Sequence, residues 1–359
     1  MTHARRTVVA LVAAASISLA LAMTGAPGPV SAKAAPAATG DPVIAAAGNI
    51  ACDPSQSAFR GTLGTKTKCH MRYVSDLLLN PDGSAKYPAT LALGDTQYIC
   101  GGLSAYQQSY DPTWGRVFAS TRPVAGDKDY RTTLNAPGAT GCSDPPGRAE
   151  GFFSYFGSKS YIQHGPTVGS GIFYSFNVPS GCTPDGINPC WHFIAINSNC
   201  AKAKGCTPGT PEYNWIASDL AAYPNSSYSC TVAFWHAPRF SSGTHGSNPA
   251  FDAIWQLLYQ NDVEIVLNAH EHTYERFAPQ TPAGVADPTN GIREFIMGTG
   301  GYGLVKFPSA NRIANSQASN DATFGILTLT LHLNSYDWRF IPQAGETFTD
   351  ASTAPTSCH

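Results

Sequence analysis

The chain has 359 residues, of which 43% are hydrophobic and 13% charged, and its formal net charge is −2. So few charges exclude a broad basic surface for nucleic acid or anionic membranes, and any phosphate affinity must come from a local site. No charge run, repeat or long Pro/Ser tract divides the sequence, so we expect a single domain over residues 42–359.

Residues 1–32 have the pattern of a secretory signal peptide. Met1–Arg6 carries two arginines, Thr7–Met23 is nearly all apolar, and Val30–Ala32 offers small residues for cleavage. No later apolar run comes near the roughly 20 residues of a membrane span. We therefore predict a secreted, extracellular protein without a membrane span, with a disordered Ala/Pro-rich linker at residues 33–41.

Ten cysteines behind a signal peptide predict an oxidising compartment and up to five disulfides. Short Gly/Pro-containing loops favour two pairs, two more pairs are guesses, and elimination then leaves the fifth. In that order the pairs are Cys182–Cys190, Cys200–Cys206, Cys52–Cys69, Cys100–Cys142 and Cys230–Cys358. The alternative is a zinc–thiolate site, but the sequence has no C-x-x-C motif.

Short apolar, β-rich runs recur along the chain and predict strands, several of them continuous, as in strands covered on both faces. In chain order the runs are Val43–Ala47, Thr90–Leu93, Pro123–Ala125, Ile172–Val178, Trp191–Ile196, Cys230–Trp235, Glu264–Leu267, Glu294–Met297, Phe324–Leu333 and Trp338–Ile341. Helical patterns lie between them at Met71–Leu79, Tyr213–Ala222 and Pro249–Tyr259. This mixture predicts an α/β sandwich.

Polar residues of metal-ligand type follow several of these strands. Asn49, Asp95, Asp127, His236 and His270 each come just after an apolar run. In layered α/β folds, sites are built at the carboxyl ends of strands. We therefore expect these side chains to meet at one edge of the fold.

Carboxylate and imidazole donors in this number indicate a site for divalent or trivalent metals. Taken singly, Asp95 and Asp127 are compatible with turns and His236 with a buried core histidine. His270 and His272, two residues apart after an apolar run, are seldom required for packing alone. Two metals that share a carboxylate hold a phosphoryl group and supply hydroxide near neutral pH.

The order and spacing of these residues resemble the calcineurin-like metallophosphoesterases from Pro42 to Gly301. That family has a strand-ending Asp, then Gly-Asp, Gly-Asn-His-Asp/Glu, a lone His and Gly-His-x-His. The matching segments here are Gly48-Asn49, Gly94-Asp95, Gly126-Asp127-Lys128-Asp129, His236 and Ala269-His270-Glu271-His272. Tyr98, three residues after Asp95, and His245, nine after His236, are similar to the purple acid phosphatase branch.

The resemblance implies an α/β fold, a four-layer α/β/β/α sandwich of two mixed sheets flanked by helices. It also implies a secreted, bacterial-type single-domain form, without the fibronectin-like domain that precedes the catalytic domain in plant relatives.

The resemblance also implies a site. The first metal would be held by Asn49, Asp95, Tyr98 and His272, and the second by Asp95, Asp127, His236 and His270. Two metal ions, Fe with Zn, Mn or Fe, would hydrolyse a phosphate ester substrate through metal-bound hydroxide, as a phosphatase or phosphodiesterase. His245, as general acid, Lys128 and Asp129 are the implied catalytic residues.

Four positions depart from the family pattern. Asn49 replaces Asp, Asp127 replaces Asn, Lys128 replaces a phosphate-facing His and Ala269 replaces Gly, which narrows a tight turn. Because the first two changes move a carboxylate from one metal to the other, we hypothesise that two metals still bind, the first site weakened for a trivalent ion. Lys128 either contacts a phosphate oxygen or pairs with Asp127 or Asp129.

Three functions follow: a metal-dependent hydrolase, a catalytically impaired relative that binds phosphate or another ligand without turnover, and a disulfide-stapled extracellular interaction protein. The retained histidines and Tyr98 argue against the third, since packing does not require them. Asn49 and Lys128 keep the second open. The sequence does not predict an oligomeric state.

Eight aromatic residues follow the second and third motifs. They are compatible with the wall of a substrate cleft or with buried core, the commoner role. They are Tyr106, Tyr110, Trp114, Tyr130, Phe152, Phe153, Tyr155 and Phe156.

Overall fold

The computed structural model describes residues 40–131, 138–142, 148–157 and 173–359. The predicted signal peptide at residues 1–32 and most of the predicted linker lie outside the described residues and stay predictions. None of the helices within the described ranges has the length and apolar character needed to cross a membrane.

The first sheet has six strands in the described part of the chain. They are β1 (Val43–Ala47), β2 (Thr90–Leu93), β3 (Thr121–Val124), β11 (Gly325–Leu331), β12 (Ser335–Pro342) and β13 (Thr356–Ser357). Their order is β13-β12-β11-β1-β2-β3, and β1, β2 and β3 run parallel while the remaining pairs are antiparallel. The sheet is therefore mixed, with its parallel half at one side.

The second sheet has seven strands among the described residues. They are β4 (Tyr174–Val178), β5 (Trp191–Ala195), β6 (Thr231–Phe234), β7 (Ile265–Asn268), β8 (Tyr274–Phe277), β9 (Arg293–Met297) and β10 (Ser316–Asn320). Their order is β10-β8-β9-β7-β6-β5-β4, with β5, β6, β7 and β9 parallel and antiparallel strands at both sides.

Short helices connect the strands. They are α1 (Met71–Asp76), α2 (Leu103–Ala105), which continues into a π-helical turn at Tyr106–Tyr110, α3 (Glu150–Phe156), α4 (Pro211–Ala222) and α5 (Asp252–Tyr259). Single 3₁₀ segments lie at Arg60–Thr62, Trp114–Ser120, Asn225–Ser227 and Pro249–Phe251. The α4 helix begins at a proline, whose missing N–H costs nothing in the first turn of a helix.

The alternation of side chains along β6 shows how the layers are built. Val232 and Phe234 belong to the large core that also contains residues of the first sheet. Ala233 and the following Trp235 belong to a second core shared with α4 and α5, where Trp235 contacts Trp255. Successive strand side chains point to opposite faces, so one face of this sheet covers the first sheet and the other carries helices. The predicted α/β sandwich of two mixed sheets flanked by helices is confirmed.

The predicted strands and helices are present within the described residues, with ends shifted by a few positions. Strand β10 was not predicted, because its segment Ser-Gln-Ala-Ser-Asn lies at the side of the sheet, is only partly buried and has no apolar run. Strand β8 and the short helix α3 were not predicted either. The aromatic residues after the second and third motifs are mainly core: Tyr106, Tyr110, Phe152 and Phe156 are fully buried and stack edge-on with one another.

All five predicted disulfides are present, and they account for all ten cysteines. The zinc–thiolate alternative is therefore excluded. The Cys230–Cys358 bond spans 128 residues and ties the end of the described chain to the residue that precedes β6, whereas the Cys200–Cys206 bond spans only 6.

The two bonds should differ in their effect on stability, because a cross-link restricts the unfolded chain more when the loop is longer. We expect the Cys230→Ala/Cys358→Ala variant to lose about 5 kcal/mol of unfolding free energy, against about 2 kcal/mol for Cys200→Ala/Cys206→Ala. Urea denaturation under oxidising conditions measures both. Equal losses would show that the loop-entropy account does not describe this chain.

Candidate metal centre

The structure brings the predicted ligands to one edge, where parallel strands of both sheets end. Asn49 follows β1, Asp95 follows β2 and Asp127 follows β3, all in the first sheet. His236 and His270 follow β6 and β7 of the second sheet. The site therefore lies at the carboxyl ends of two sheets, as expected from the pattern of strands and polar residues.

The backbone at this edge is strained in a way that aims side chains into the cluster. Asn49, Asp95 and His270 have φ angles of 57°, 48° and 64°, in the left-handed region that non-glycine residues seldom occupy. Gly126 is required for space, because a Cβ there would lie 2.2 Å from Asp95 Oδ1. Strain of this kind persists where the surrounding structure enforces it.

His236 is the centre of the second predicted metal position. Its Nδ1 donates to the Leu93 carbonyl at 2.8 Å, which leaves Nε2 with the lone pair that a metal needs. Nε2 lies 3.2 Å from Asp95 Oδ1, 3.5 Å from Asp127 Oδ1 and 3.1 Å from His270 Nδ1. Two carboxylate oxygens and two imidazole nitrogens therefore converge.

Three of these donors fit a metal ion together, because Asp127, His236 and His270 offer atoms that all lie within 4.8 Å of one another. Asp95 Oδ1 joins them through its 3.2 Å approach to His236 Nε2. Ligands held at about 2.0–2.2 Å from a first-row ion are roughly 3.0–3.5 Å from one another, which matches the four separations measured from His236 and His270. Asp127 Oδ1 is a buried oxygen without a hydrogen bond from the described residues, 3.4 Å from His270 Nδ1. The donor set, two carboxylates and two imidazoles, suits a divalent ion such as Zn²⁺, Fe²⁺ or Mn²⁺.

The two carboxylates of the cluster are stabilised by positive charge close to them. Burial disfavours the charge on Asp95, but the neighbouring His236 lowers the pKa of this carboxyl to about 2. Burial likewise disfavours the charged imidazole, but Asp95 and Asp127 raise the pKa of His236 to about 10. Without a metal, the carboxylates therefore hold a proton on His236, and a metal would take the place of that proton.

Asn49, predicted for the first metal, forms two hydrogen bonds to the backbone of His270. Its Nδ2 donates to the His270 carbonyl at 3.2 Å, and its Oδ1 accepts from the His270 N–H at 3.0 Å. The side chain thereby stabilises the left-handed conformation of His270. Its amide carries no charge to offer a metal.

The other first-position residues form a hydrogen-bonded group. The Tyr98 hydroxyl donates to Asp95 Oδ2 at 2.7 Å and lies 3.4 Å from His272 Nε2. His272 Nδ1 donates to the Gly303 carbonyl at 2.7 Å, and burial lowers the pKa of His272 to about 4, so Nε2 carries a lone pair. Tyr302, which was not predicted as a site residue, stacks on Tyr98 with ring centroids 3.6 Å apart.

Lys128 lies within the cluster. Its Nζ is 2.6 Å from Asp127 Oδ2 and 3.4 Å from Asp95 Oδ2, and the Lys128 backbone N–H donates to Asp95 Oδ1 at 2.8 Å. Of the two predicted interpretations, the structure shows the pairing with Asp127. Pairing with Asp129 is not observed.

Asp129 bonds to the loops that carry these ligands, and its predicted catalytic role stays a prediction. The side chain is fully buried, and its oxygens accept from the N–H of Gly126, the N–H and hydroxyl of Thr96, the N–H of Gln97 and the hydroxyl of Tyr106. These bonds join the second and third motifs. Asp129 therefore positions the loops that carry Asp95 and Asp127.

His245 lies at the rim of the cluster. Its ring centroid is 4.3 Å from that of His270, and its side chain is about half exposed. Nδ1 lies 3.2 Å from Glu271 Oε2, and the backbone N–H donates to Glu271 Oε1 at 2.9 Å. Because the hydrogen bond to Glu271 favours the charged imidazole, it raises the pKa of His245. Glu271 was missed as a site residue, although its place between His270 and His272 was a usable signal.

The Ala269 substitution is accommodated by its neighbour. A Cβ at Gly48 would lie 2.5 Å from Ala269 Cβ, so Gly48 supplies the space that Ala269 fills. The left-handed residue of this turn is His270 and not Ala269. The turn therefore forms without the family glycine.

Comparisons with known proteins place these observations in context, although no protein-family model matches the chain. Purple acid phosphatase 15 of Arabidopsis thaliana is 34% identical over 242 residues, which cover 62% of this chain and 41% of the relative. Acid phosphatase A of Cryphonectria parasitica is 28% identical over 152 residues, 40% of this chain and 30% of the relative. The chain thus spans less than half the length of these relatives.

Two solved structures share the fold. Purple acid phosphatase PPD1 from yellow lupin (Lupinus luteus) seeds superposes with a TM-score of 0.61 at 14% identity, over 86% of this chain and 53% of that chain. GAP50, the anchor in the inner membrane complex of Plasmodium, superposes with a TM-score of 0.57 at 13% identity, over 89% and 90% of the two chains.

The two-sheet fold is shared with purple acid phosphatase PPD1, and the order of the cluster residues along the chain resembles that of the calcineurin-like metallophosphoesterases. The resemblance inferred from the motifs is therefore confirmed. The sequence matches are to purple acid phosphatases, in agreement with the branch that Tyr98 and His245 resemble.

The positioning role of Asp129 can be tested by Asp129→Asn. The amide nitrogen would face N–H donors in a buried site, so we expect a loss of about 2–3 kcal/mol of unfolding free energy. Asp76→Asn, which changes an exposed aspartate paired with Arg116, should cost less than about 1 kcal/mol. Chemical denaturation measures both. If the Asp129→Asn protein has wild-type stability but no turnover, Asp129 has its predicted catalytic role and not only a positioning role.

Proposed function

We propose that the chain is a secreted, metal-dependent phosphoester hydrolase of the purple acid phosphatase-like class. The observation that carries the proposal is the convergence of Asp95, Asp127, His236 and His270 donor atoms within 3.1–3.5 Å of their neighbours. Sequence matches to proteins named as phosphatases support the reaction type. Five disulfides support an oxidising compartment and hence secretion.

The chain's own residues prepare this position for catalysis. A metal ion held there would supply Lewis-acid activation of a phosphoryl oxygen and of water. The Leu93 carbonyl fixes the ring of His236, and the left-handed backbone of Asp95 and His270 fixes their direction. Positions held this firmly lose little freedom when a substrate binds. The predicted composition, Fe with Zn, Mn or Fe, stays a prediction.

His245 is the proposed general acid. The Glu271 carboxylate accepts from Nδ1, which leaves Nε2 as the nitrogen that gives a proton to the leaving oxygen. Gly243 allows this arrangement, because a Cβ there would lie 2.3 Å from the Glu271 carboxylate. Glu271 therefore acts through His245, as a positioning residue.

A second candidate is a relative that binds phosphate or another ligand without turnover. Two observations favour it: the ion pair between Lys128 and Asp127, which withdraws one oxygen of a predicted ligand, and the backbone bonds of Asn49. A shared fold does not decide between the candidates, since GAP50 has this fold and is named an anchor. Turnover decides between them.

The first test is hydrolysis of 4-nitrophenyl phosphate and bis(4-nitrophenyl) phosphate with added zinc, manganese or iron. We expect turnover, and His270→Ala should lower kcat/KM by more than about 100-fold, because even residues behind metal ligands contribute 10–100-fold. His332→Ala is the matched control, because His332 lies at the other end of β1 from the candidate site. The preceding residue, Leu331, donates its N–H to the carbonyl of Pro42, which comes just before β1. Metal binding without turnover would establish the second candidate.

The second test addresses His245. We expect His245→Ala to lower kcat by about 10²–10⁴-fold on phenyl phosphate, whose leaving group needs a proton. The loss should be much smaller on 4-nitrophenyl phosphate, whose leaving group departs as an anion. Glu271→Gln should show the same substrate dependence with a smaller loss. Equal losses on both esters would contradict proton donation by His245.

A further inference from the structure

We propose that the ammonium group of Lys128 takes the place of the first metal ion, so that this chain binds one metal ion, at the second position, instead of two. The inference rests on the proposed function only in taking Asp95, Asp127, His236 and His270 as the metal ligands. It concerns how many metal ions the chain binds and which group supplies the positive charge at the first position.

The position of Lys128 relative to Asp95 is the first argument. Asp95 is the carboxylate that both predicted metal positions share, and its Oδ1 faces His236 at the second position. Its Oδ2 faces Tyr98 at the first position, and there Lys128 Nζ lies 3.4 Å from Oδ2 and 5.7 Å from the centroid of the Tyr98 ring. The ammonium therefore lies on the side of Asp95 where the first ion would be.

The ligands of the first position supply the second argument. Asn49 is neutral, and both polar atoms of its side chain bond to the His270 backbone. The Tyr98 hydroxyl donates to Asp95 Oδ2 at 2.7 Å. His272 Nδ1 donates to the Gly303 carbonyl, and His272 Nε2 lies 3.4 Å from the Tyr98 hydroxyl. At the second position, Asp127 Oδ1 has no hydrogen bond from the described residues.

Replacement of the first metal ion by the Lys128 ammonium explains three departures from the family pattern, namely Lys128 itself, Asn49 and Asp127. An ammonium carries one charge where a metal carries two or three, so the anion at position 49 is no longer needed and Asn suffices. An ammonium donates hydrogen bonds and needs acceptors, which Asp127 supplies at 2.6 Å where the family has Asn. A metal at the first position would also be repelled by the Lys128 charge.

The arrangement leaves Lys128 a role toward the substrate. An ammonium has three protons, and two of them are directed to Asp127 and Asp95. The third is available for a phosphoryl oxygen. The two roles predicted for Lys128, phosphate contact and pairing with Asp127, are therefore compatible.

The experiment is metal stoichiometry on the full mature chain. The purified protein is dialysed to equilibrium against Zn²⁺, Mn²⁺ or iron, and bound metal is measured by elemental mass spectrometry. We expect one ion per chain in the wild type and none in His270→Ala. Lys86→Ala, which removes an exposed lysine whose described contact is the Tyr87 ring, is the matched control and should also bind one.

The double variant Asn49→Asp/Lys128→His restores the family residues at the first position and should bind two ions. With ferric iron it should also gain a visible absorption band from Tyr98 as a phenolate ligand, which the wild type lacks. Circular dichroism checks that the variant is folded. If the double variant is not folded, the metal stoichiometry and the iron spectrum of the wild type still test whether the chain binds one ion.

Two ions in the wild type, or a phenolate–iron band, would overturn the inference and leave the hydrolase proposal standing. One ion without turnover of either nitrophenyl ester would support the inference and end the hydrolase proposal. No ion under any condition would overturn both.

Discussion

Asp95 is a buried carboxylate with a second carboxylate, Asp127, close by, and a buried anion is tolerated only when bonds and positive charge surround it. Each of its oxygens has two partners: the Lys128 N–H and His236 on one side, the Tyr98 hydroxyl and the Lys128 ammonium on the other. The left-handed turn at Asp95 and the close approach of Gly126 exist to hold this carboxylate in place. The candidate site is thus organised around the neutralisation of one side chain.

Much of the fold could be predicted from the sequence because buried parallel strands such as β1, β2 and β6 consist of continuous apolar runs. The polar residues that follow these runs identified the edge that carries the site, because sites in layered α/β folds lie at the carboxyl ends of strands. β10 escaped prediction because a strand at the side of a sheet needs no apolar face, and its sequence has none. Short loops indicated two of the disulfides, Cys182–Cys190 and Cys200–Cys206, whereas the other three pairings depended on guesses for Cys52–Cys69 and Cys100–Cys142.

The partners of individual polar side chains could not be predicted, because they depend on atoms that are distant in sequence. Asp129 belongs to a motif, yet its direction is set by Tyr106 and Thr96, which surround it in three dimensions. Asn49 resembles a metal ligand in sequence, but the backbone of His270, 221 positions away, takes both of its polar atoms. Motifs identify which residues meet, whereas the surrounding hydrogen bonds decide what each one does.

The Cys230–Cys358 bond has a consequence for how the cluster forms. Cys230 precedes β6, and the neighbouring His359 pairs with Glu264, which precedes β7. The last residues of the sequence thus hold together the starting ends of the two strands whose far ends present His236 and His270. A covalent bond at one end of these two strands therefore helps to fix the spacing of the two histidines at the other end.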